Sequence, residues 1–119
     1  MTDPVPVELE CFELVLLRRP AGHAPVTDEE AARLHRLHLA HLTRMREEGH
    51  LVVAGPFDEQ ADETLRGLCL YRTGSVERAT ELASEDPAVQ AGRFTLEVMR
   101  FWCPKGGIGG GSDARPAAQ

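Results

Sequence analysis

Positive charge is in short supply in this 119-residue chain: 13 lysines and arginines stand against 19 aspartates and glutamates, a formal charge of −6. That balance speaks against a nucleic-acid partner, whose recognition rests on a basic stripe. No apolar run approaches the ~18 residues of a membrane-spanning helix, so no membrane partner is expected. The opening Met1-Thr2-Asp3-Pro4 has neither the basic stretch nor the apolar core of a secretory signal. Cysteines number three, Cys11, Cys69 and Cys103, with no C-x-x-C spacing. An odd set without such spacing reads as reduced thiols and a cytoplasmic location. No H-E-x-x-H is present, and the glycines from Gly106 to Gly111 are followed by no helical pattern and lack the Lys and Ser/Thr spacing of a phosphate loop. No internal repeat is evident. What remains, 42% hydrophobic and 27% charged residues, suits one soluble domain with a single modest core.

The elements follow in a clear order. Cys11 to Leu17 is a short apolar run before Arg18-Arg19-Pro20, and a strand is expected near residues 9–17. Thr27-Asp28-Glu29-Glu30 has the form of a capping box, with the Thr27 hydroxyl accepting from the N3 amide and Glu30 reaching back. The helix it opens runs over 28–48, and Gly49 takes the position after its end that favours positive φ. Strands near 50–55 and 65–72 flank an acidic loop containing Asp58, Glu59, Asp62 and Glu63. Ser75 caps a second helix over 76–85 with Val76, Ala79, Leu82 and Ala83 on one face. Phe94, Leu96 and Val98 alternate with Thr95 and Glu97 in a last strand near 93–102.

This βαββαβ order predicts an α+β, ferredoxin-like split β-α-β domain over residues 1–103, with an antiparallel sheet and two helices on one face. The first strand is apolar on both sides, Phe12, Leu14 and Leu16 against Cys11, Val15 and Leu17, and the second repeats this with Leu51 and Val53 against Val52 and Ala54. Two-sided apolar strands under helices on one side only call for a partner sheet, so a homodimer is expected. Residues 104–119, rich in glycine and nearly free of apolar side chains beyond Ile108, read as a flexible tail.

Two islands carry the chemistry. One is His38 on the first helix, followed by Glu48-Gly49-His50-Leu51-Val52-Val53-Ala54-Gly55-Pro56; the other is Asp86-Pro87-Ala88-Val89-Gln90-Ala91-Gly92. An imidazole on a helix and a carboxylate at a proline-fixed turn are the minimal parts of an oriented acid/base pair. From Phe12 to Trp102 the chain resembles the YciI-like (YCII-related) family, whose members share a helix histidine, an Ala-Gly-Pro after the second strand and an Asp-Pro-x-Val-x-Ala-Gly near the last. The resemblance implies a dimeric α+β barrel type of assembly. It also implies a small enzyme without cofactor or metal, doing lyase- or isomerase-like chemistry on a small cyclic or aromatic, hydroxylated metabolite.

Periodicity places Ala31, Leu34, Leu37, His38, His41, Leu42 and Met45 on one face of the first helix, and it does not choose between the two histidines. The resemblance does: the family histidine lies eleven residues before the glycine that ends the helix, which is His38. His38 is therefore the expected acid/base and Asp86 the carboxylate that fixes its tautomer, while His41 is read as pocket wall or core. Each has a structural alternative. A histidine on an apolar face is often a satisfied core residue, and Asp before Pro is by itself a good helix cap. Both roles fit one carboxylate, which has two oxygens. His35, His38 and His41 recur every third residue without a further inward ligand, so no metal is expected. Phe57 after Gly55-Pro56 and Arg66 in the third strand are candidate substrate contacts; a turn residue and an ion-pair partner are the plainer readings. Arg18 and Arg19 can receive a substrate carboxylate or pair with the acidic loop. A second function class stays open: a non-enzymatic dimer that binds a small ligand or assists another enzyme.

Overall fold

The computed structural model describes residues 7–23 and 25–108. Along the chain come β1 (Leu9–Arg18), α1 (Asp28–Glu47), β2 (Leu51–Pro56), β3 (Leu65–Tyr71), α2 (Val76–Ser84), the single turn α3 (Pro87–Gln90) and β4 (Thr95–Pro104). The sheet order is β2-β3-β1-β4 and every neighbouring pair is antiparallel. This is the ferredoxin-like split β-α-β arrangement, with β3 inserted between β1 and β2. The turn α3 is the one element added to the sequence-based order.

Local signals explain the helix boundaries. The Thr27 side chain accepts from the Glu30 amide at 3.1 Å. The other half of the expected capping box does not form, because the Glu30 carboxylate meets the Arg33 guanidinium at 2.7 and 2.9 Å. Two charge-assisted bonds outweigh one to a neutral amide. At the far end Gly49 adopts φ +83°. Its amide donates to the Arg46 carbonyl at 3.0 Å and that of His50 to the Met45 carbonyl at 2.9 Å, the paired bonds of a Schellman close. Ser75 caps α2 by accepting from Arg78 at 3.0 Å.

The core lies between the sheet and α1 and α2, where Val15, Leu17, Cys69 and Tyr71 meet Met45, Ala79, Leu82 and Ala83. In β2 the expected alternation breaks. The register shifts between Leu51, which opposes Tyr71, and Val53, which opposes Leu70. Val52 is the extra residue of this bulge, so Leu51 and Ala54 face the helices while Val53 turns to the other side. That helix-free side carries Phe12, Leu70 and Cys103 with Leu14 and Val52 beside them, and leaves Val53, Met99 and Phe101 exposed. β4 extends to Pro104, after which the Lys105 amide donates to the Glu8 carbonyl at 2.8 Å and Ile108 packs on the same cluster. The remaining tail lies outside the described residues.

One buried charge on the helix-facing side of β1 is absent from the sequence-based core. Glu13 is 2% exposed. Its Oε1 accepts from the Thr73 amide at 2.7 Å, the Thr73 hydroxyl at 2.6 Å and the Gly74 amide at 3.2 Å. It thereby supplies acceptors to the turn between β3 and α2. Glu13→Leu keeps the volume and strands these donors, and is expected to cost about 1–3 kcal/mol in urea denaturation. Glu13→Gln, which retains an acceptor oxygen, is expected to cost less.

Candidate functional site

The site is assembled where α1 crosses the turn that precedes β4. Asp86 sits at the cap of α3, and its Oδ1 accepts from the Ala88 amide at 2.9 Å. Pro87, first in the turn, presets its φ and has no amide hydrogen to leave unpaired. The second oxygen, Oδ2, lies 2.5 Å from His38 Nδ1. Both groups are buried, His38 at 9% and Asp86 at 2% exposure. A carboxylate only accepts, so Nδ1 carries the hydrogen and the Nε2 lone pair is left unprotonated on the neutral ring. Phe94 packs against the imidazole with ring centres 5.4 Å apart.

His38 borders two adjoining cavities of about 430 and 340 Å³, which also share Arg19, His35 and Phe94. The larger is walled by Leu39 and Leu42 of α1 and by the β2–β3 edge, where Pro56, Arg66 and Gly67 contribute. Gly67 is required there: a Cβ on it would stand 2.6 Å from the Gly55 carbonyl oxygen. The smaller cavity is bounded by Arg93 and Ala88.

The other residues singled out from sequence take varied places. Arg66 lines the larger cavity. Phe57 lines neither cavity; its amide donates to the Arg66 carbonyl at 2.9 Å, which keeps the chain paired to β3 just past β2. His41, one turn beyond His38, also lines neither and is buried, with Nε2 lacking a partner among the described residues. Arg18 joins the acidic loop through Asp62 and Thr64, both at 2.8 Å. Of the cavity residues, Arg19 was read only as one of two arginines able to receive a substrate carboxylate or pair with the acidic loop, while Phe94 and Cys69 carried no site assignment. Alternation along β1 and β4 was the available signal for Arg19 and Phe94, but it does not tell which side opens on a cavity. Cys69 lines the larger cavity, and burial, with a smaller contribution from Asp86, pushes its thiol up to about 12. It is thus a packing group and not a nucleophile. Among the described residues no three His, Cys, Asp or Glu side chains converge as a metal site.

Burial holds the His41 imidazole below its usual range; Asp86 and Glu85 oppose this, and Arg44 and His38 reinforce it. An unfolded histidine titrates near ~6.5. Between that value and the lower native one, the unfolded chain binds a proton that the folded chain does not. The His41 contribution therefore leaves stability intact above about 6.5 and erodes it as pH falls. His41→Leu is expected to lose less stability than the parent between pH 7 and pH 5, measured by urea denaturation at each pH.

Comparison with known proteins places the chain in a family. The chain matches the YCII-related domain over residues 14–102. No curated protein matches. Among solved structures, the 5-chloro-2-hydroxyhydroquinone dehydrochlorinase of Burkholderia phenoliruptrix AC1100, in complex with 2,5-dihydroxybenzoquinone, superposes with a TM-score of 0.52 at 20% identity, over 75% of this chain and 92% of that one. The likeness to that enzyme is one of fold. With the family domain covering most of the described residues, the chain belongs to the YCII-related family.

Proposed function

We propose that this protein is a small cofactor-free enzyme in which His38 moves a proton on a small cyclic or aromatic, hydroxylated metabolite, oriented by Asp86. The observation that carries this reading is the division of labour on one imidazole. Nδ1 is committed to a buried carboxylate, and Nε2 is the nitrogen left for a ligand in the adjoining cavities. The carboxylate stabilises the imidazolium that forms when Nε2 accepts a proton. In a lyase-like reaction the electron pair left on the substrate becomes a new π bond as a leaving group departs with its own pair. In an isomerase-like reaction the proton returns at a different carbon. Neither needs an electron acceptor. The fold neighbour is named for removing hydrogen chloride from a chlorinated hydroxyhydroquinone, which supports a hydroxylated ring as the ligand. A positioned base contributes on the order of 10²–10⁴-fold, and the mostly apolar cavity supplies positioning and partial exclusion of water.

We further propose that the protein works as a homodimer closing the helix-free sheet face, because Val53, Met99 and Phe101 form an exposed apolar patch there. Cys11, Cys69 and Cys103 are free thiols, in keeping with a reducing, cytoplasmic setting.

Chloride release from 5-chloro-2-hydroxyhydroquinone and related chlorinated hydroquinones tests the chemistry. His38→Ala is expected to lower kcat by roughly 10²–10⁴-fold while keeping the fold. Asp86→Asn keeps the oxygen that caps α3 but can offer Nδ1 a donor, forcing the hydrogen onto Nε2; a loss on the order of 10³-fold is expected. Undiminished turnover in His38→Ala overturns the assignment. Light scattering across a concentration series is expected to give twice the chain mass, and Phe101→Glu to shift it toward the monomer.

A further inference from the structure

The charge around the cavities does not match the charge of the chain. Acidic residues outnumber basic ones, 19 to 13, and elsewhere they pair freely: Arg18 with Asp62, Arg33 with Glu30, Arg44 with Glu85, Arg78 with Glu81. Arg19, Arg66 and Arg93 line the cavities, and none of the three has a carboxylate partner among the described residues. Among the described residues no aspartate or glutamate lines either cavity. The Asp86 carboxylate, behind the imidazole, is already engaged on both oxygens.

Arg19 is the centre of the group. Its Nε is buried and has no hydrogen-bond partner among the described residues. Its guanidinium lies 5.1 Å from the Phe94 ring centre, and that ring in turn packs against His38. Guanidinium and imidazole thus both pack on one phenyl ring of the shared cavity wall. Burial first, then the nearby Arg93 and Arg66 cations, lower the Arg19 pKa, so each of those two lies close enough to repel Arg19. Like charges gathered without a counter-charge are unfavourable, and a planar oxyanion in the cavity relieves them.

We infer that Arg19, with Arg66 and Arg93, forms an anion subsite in the cavity beside His38, and that the ligand is a small ring compound bearing a carboxylate. This rests on the proposed cavity being the ligand site, and it adds the substrate class. Arg19 meets the carboxylate through its guanidinium, whose face is held by Phe94, while the ring of the ligand lies toward the Nε2 side of His38. Arg66 and Arg93 approach from the larger and the smaller cavity and add charge. The neutral apolar walls, Leu39 and Leu42 among them, take the ring.

The test is calorimetric titration of the full chain with 2,5-dihydroxybenzoate and with its neutral counterpart 2,5-dihydroxybenzamide. The acid is expected to bind about tenfold more tightly or better, the scale of one charge-assisted bond pair gained. Arg19→Gln is expected to abolish that preference by weakening the acid far more than the amide, and Arg46→Gln, at the distant end of α1, to leave both unchanged. Should Arg19→Gln fail to fold, the double variant Arg66→Gln/Arg93→Gln is expected to cut the preference at least threefold. Equal binding of acid and amide, or a preference that survives these changes, overturns the inference. Because binding is read without turnover, the two proposals fail separately. An Arg19-dependent preference in a protein that turns over nothing supports the subsite and sinks the enzyme reading. His38-dependent turnover of neutral hydroquinones with no acid preference does the reverse.

Discussion

Both oxygens of the Asp86 carboxylate are engaged inside the protein, one by the amide that opens α3 and the other by the imidazole of α1. An unpaired carboxylate at this depth would cost several kcal/mol, so the pairing is a condition for burying the group at all. Through it the rotation of α1 about its axis, the start of α3 and the approach to β4 are tied to one another. The two bonds also differ in kind. The cap depends only on an acceptor oxygen, whereas the imidazole bond depends on the acceptor and its charge, so the structural and the chemical contributions of Asp86 are separable.

Carboxylates elsewhere do comparable work on connections. Glu13 gathers three donors of the β3–α2 turn. Asp62 holds the β2–β3 loop to Arg18, and Glu10 accepts from the Gly106 amide at 2.6 Å where the chain leaves β4. These bonds draw acidic groups toward the sheet ends and loops. The cavity lining is left with guanidinium groups and, among the described residues, no carboxylate. The electrostatic character of the site thus follows from where the acids are needed structurally, as much as from where the arginines lie.

The sheet serves two different surfaces. Its helix-facing side makes the core and the inner walls of the cavities; its other side presents Val53, Met99 and Phe101 to solvent in the single chain. The bulge at Val52 belongs to both. It turns Val53 to the outer surface and returns Ala54 to the inner one, next to Gly55 and Pro56 on the cavity edge. Gly67 then allows β2 and β3 to approach closely at that edge, where a larger residue would strike the Gly55 carbonyl.

Much of the fold was legible before any coordinates. Hydrophobic periods, the Thr27 and Ser75 caps, Gly49 and the βαββαβ order rest on interactions within a few residues of each other, and such interactions are written locally. The bulge at Val52 was not legible, since a run of Leu and Val looks alternating in either register. Nor was the burial of Glu13, whose partners lie sixty residues away. For the site, residue types and the spacing to Gly49 directed attention to His38 and Asp86, while periodicity alone left His38 and His41 on the same face. Only tertiary packing distinguished their surroundings: Asp86 Oδ2 lies against one ring, and the other is buried with a nitrogen unpartnered among the described residues. The arginines show the same divide. Sequence placed Arg18 and Arg19 together at the end of the first strand, each able to receive a carboxylate or pair with the acidic loop. That one meets Asp62 and the other a cavity was decided by the acidic loop and α1 arriving from distant parts of the chain, because a side chain's partner is set by what packs beside it and not by its neighbours in sequence.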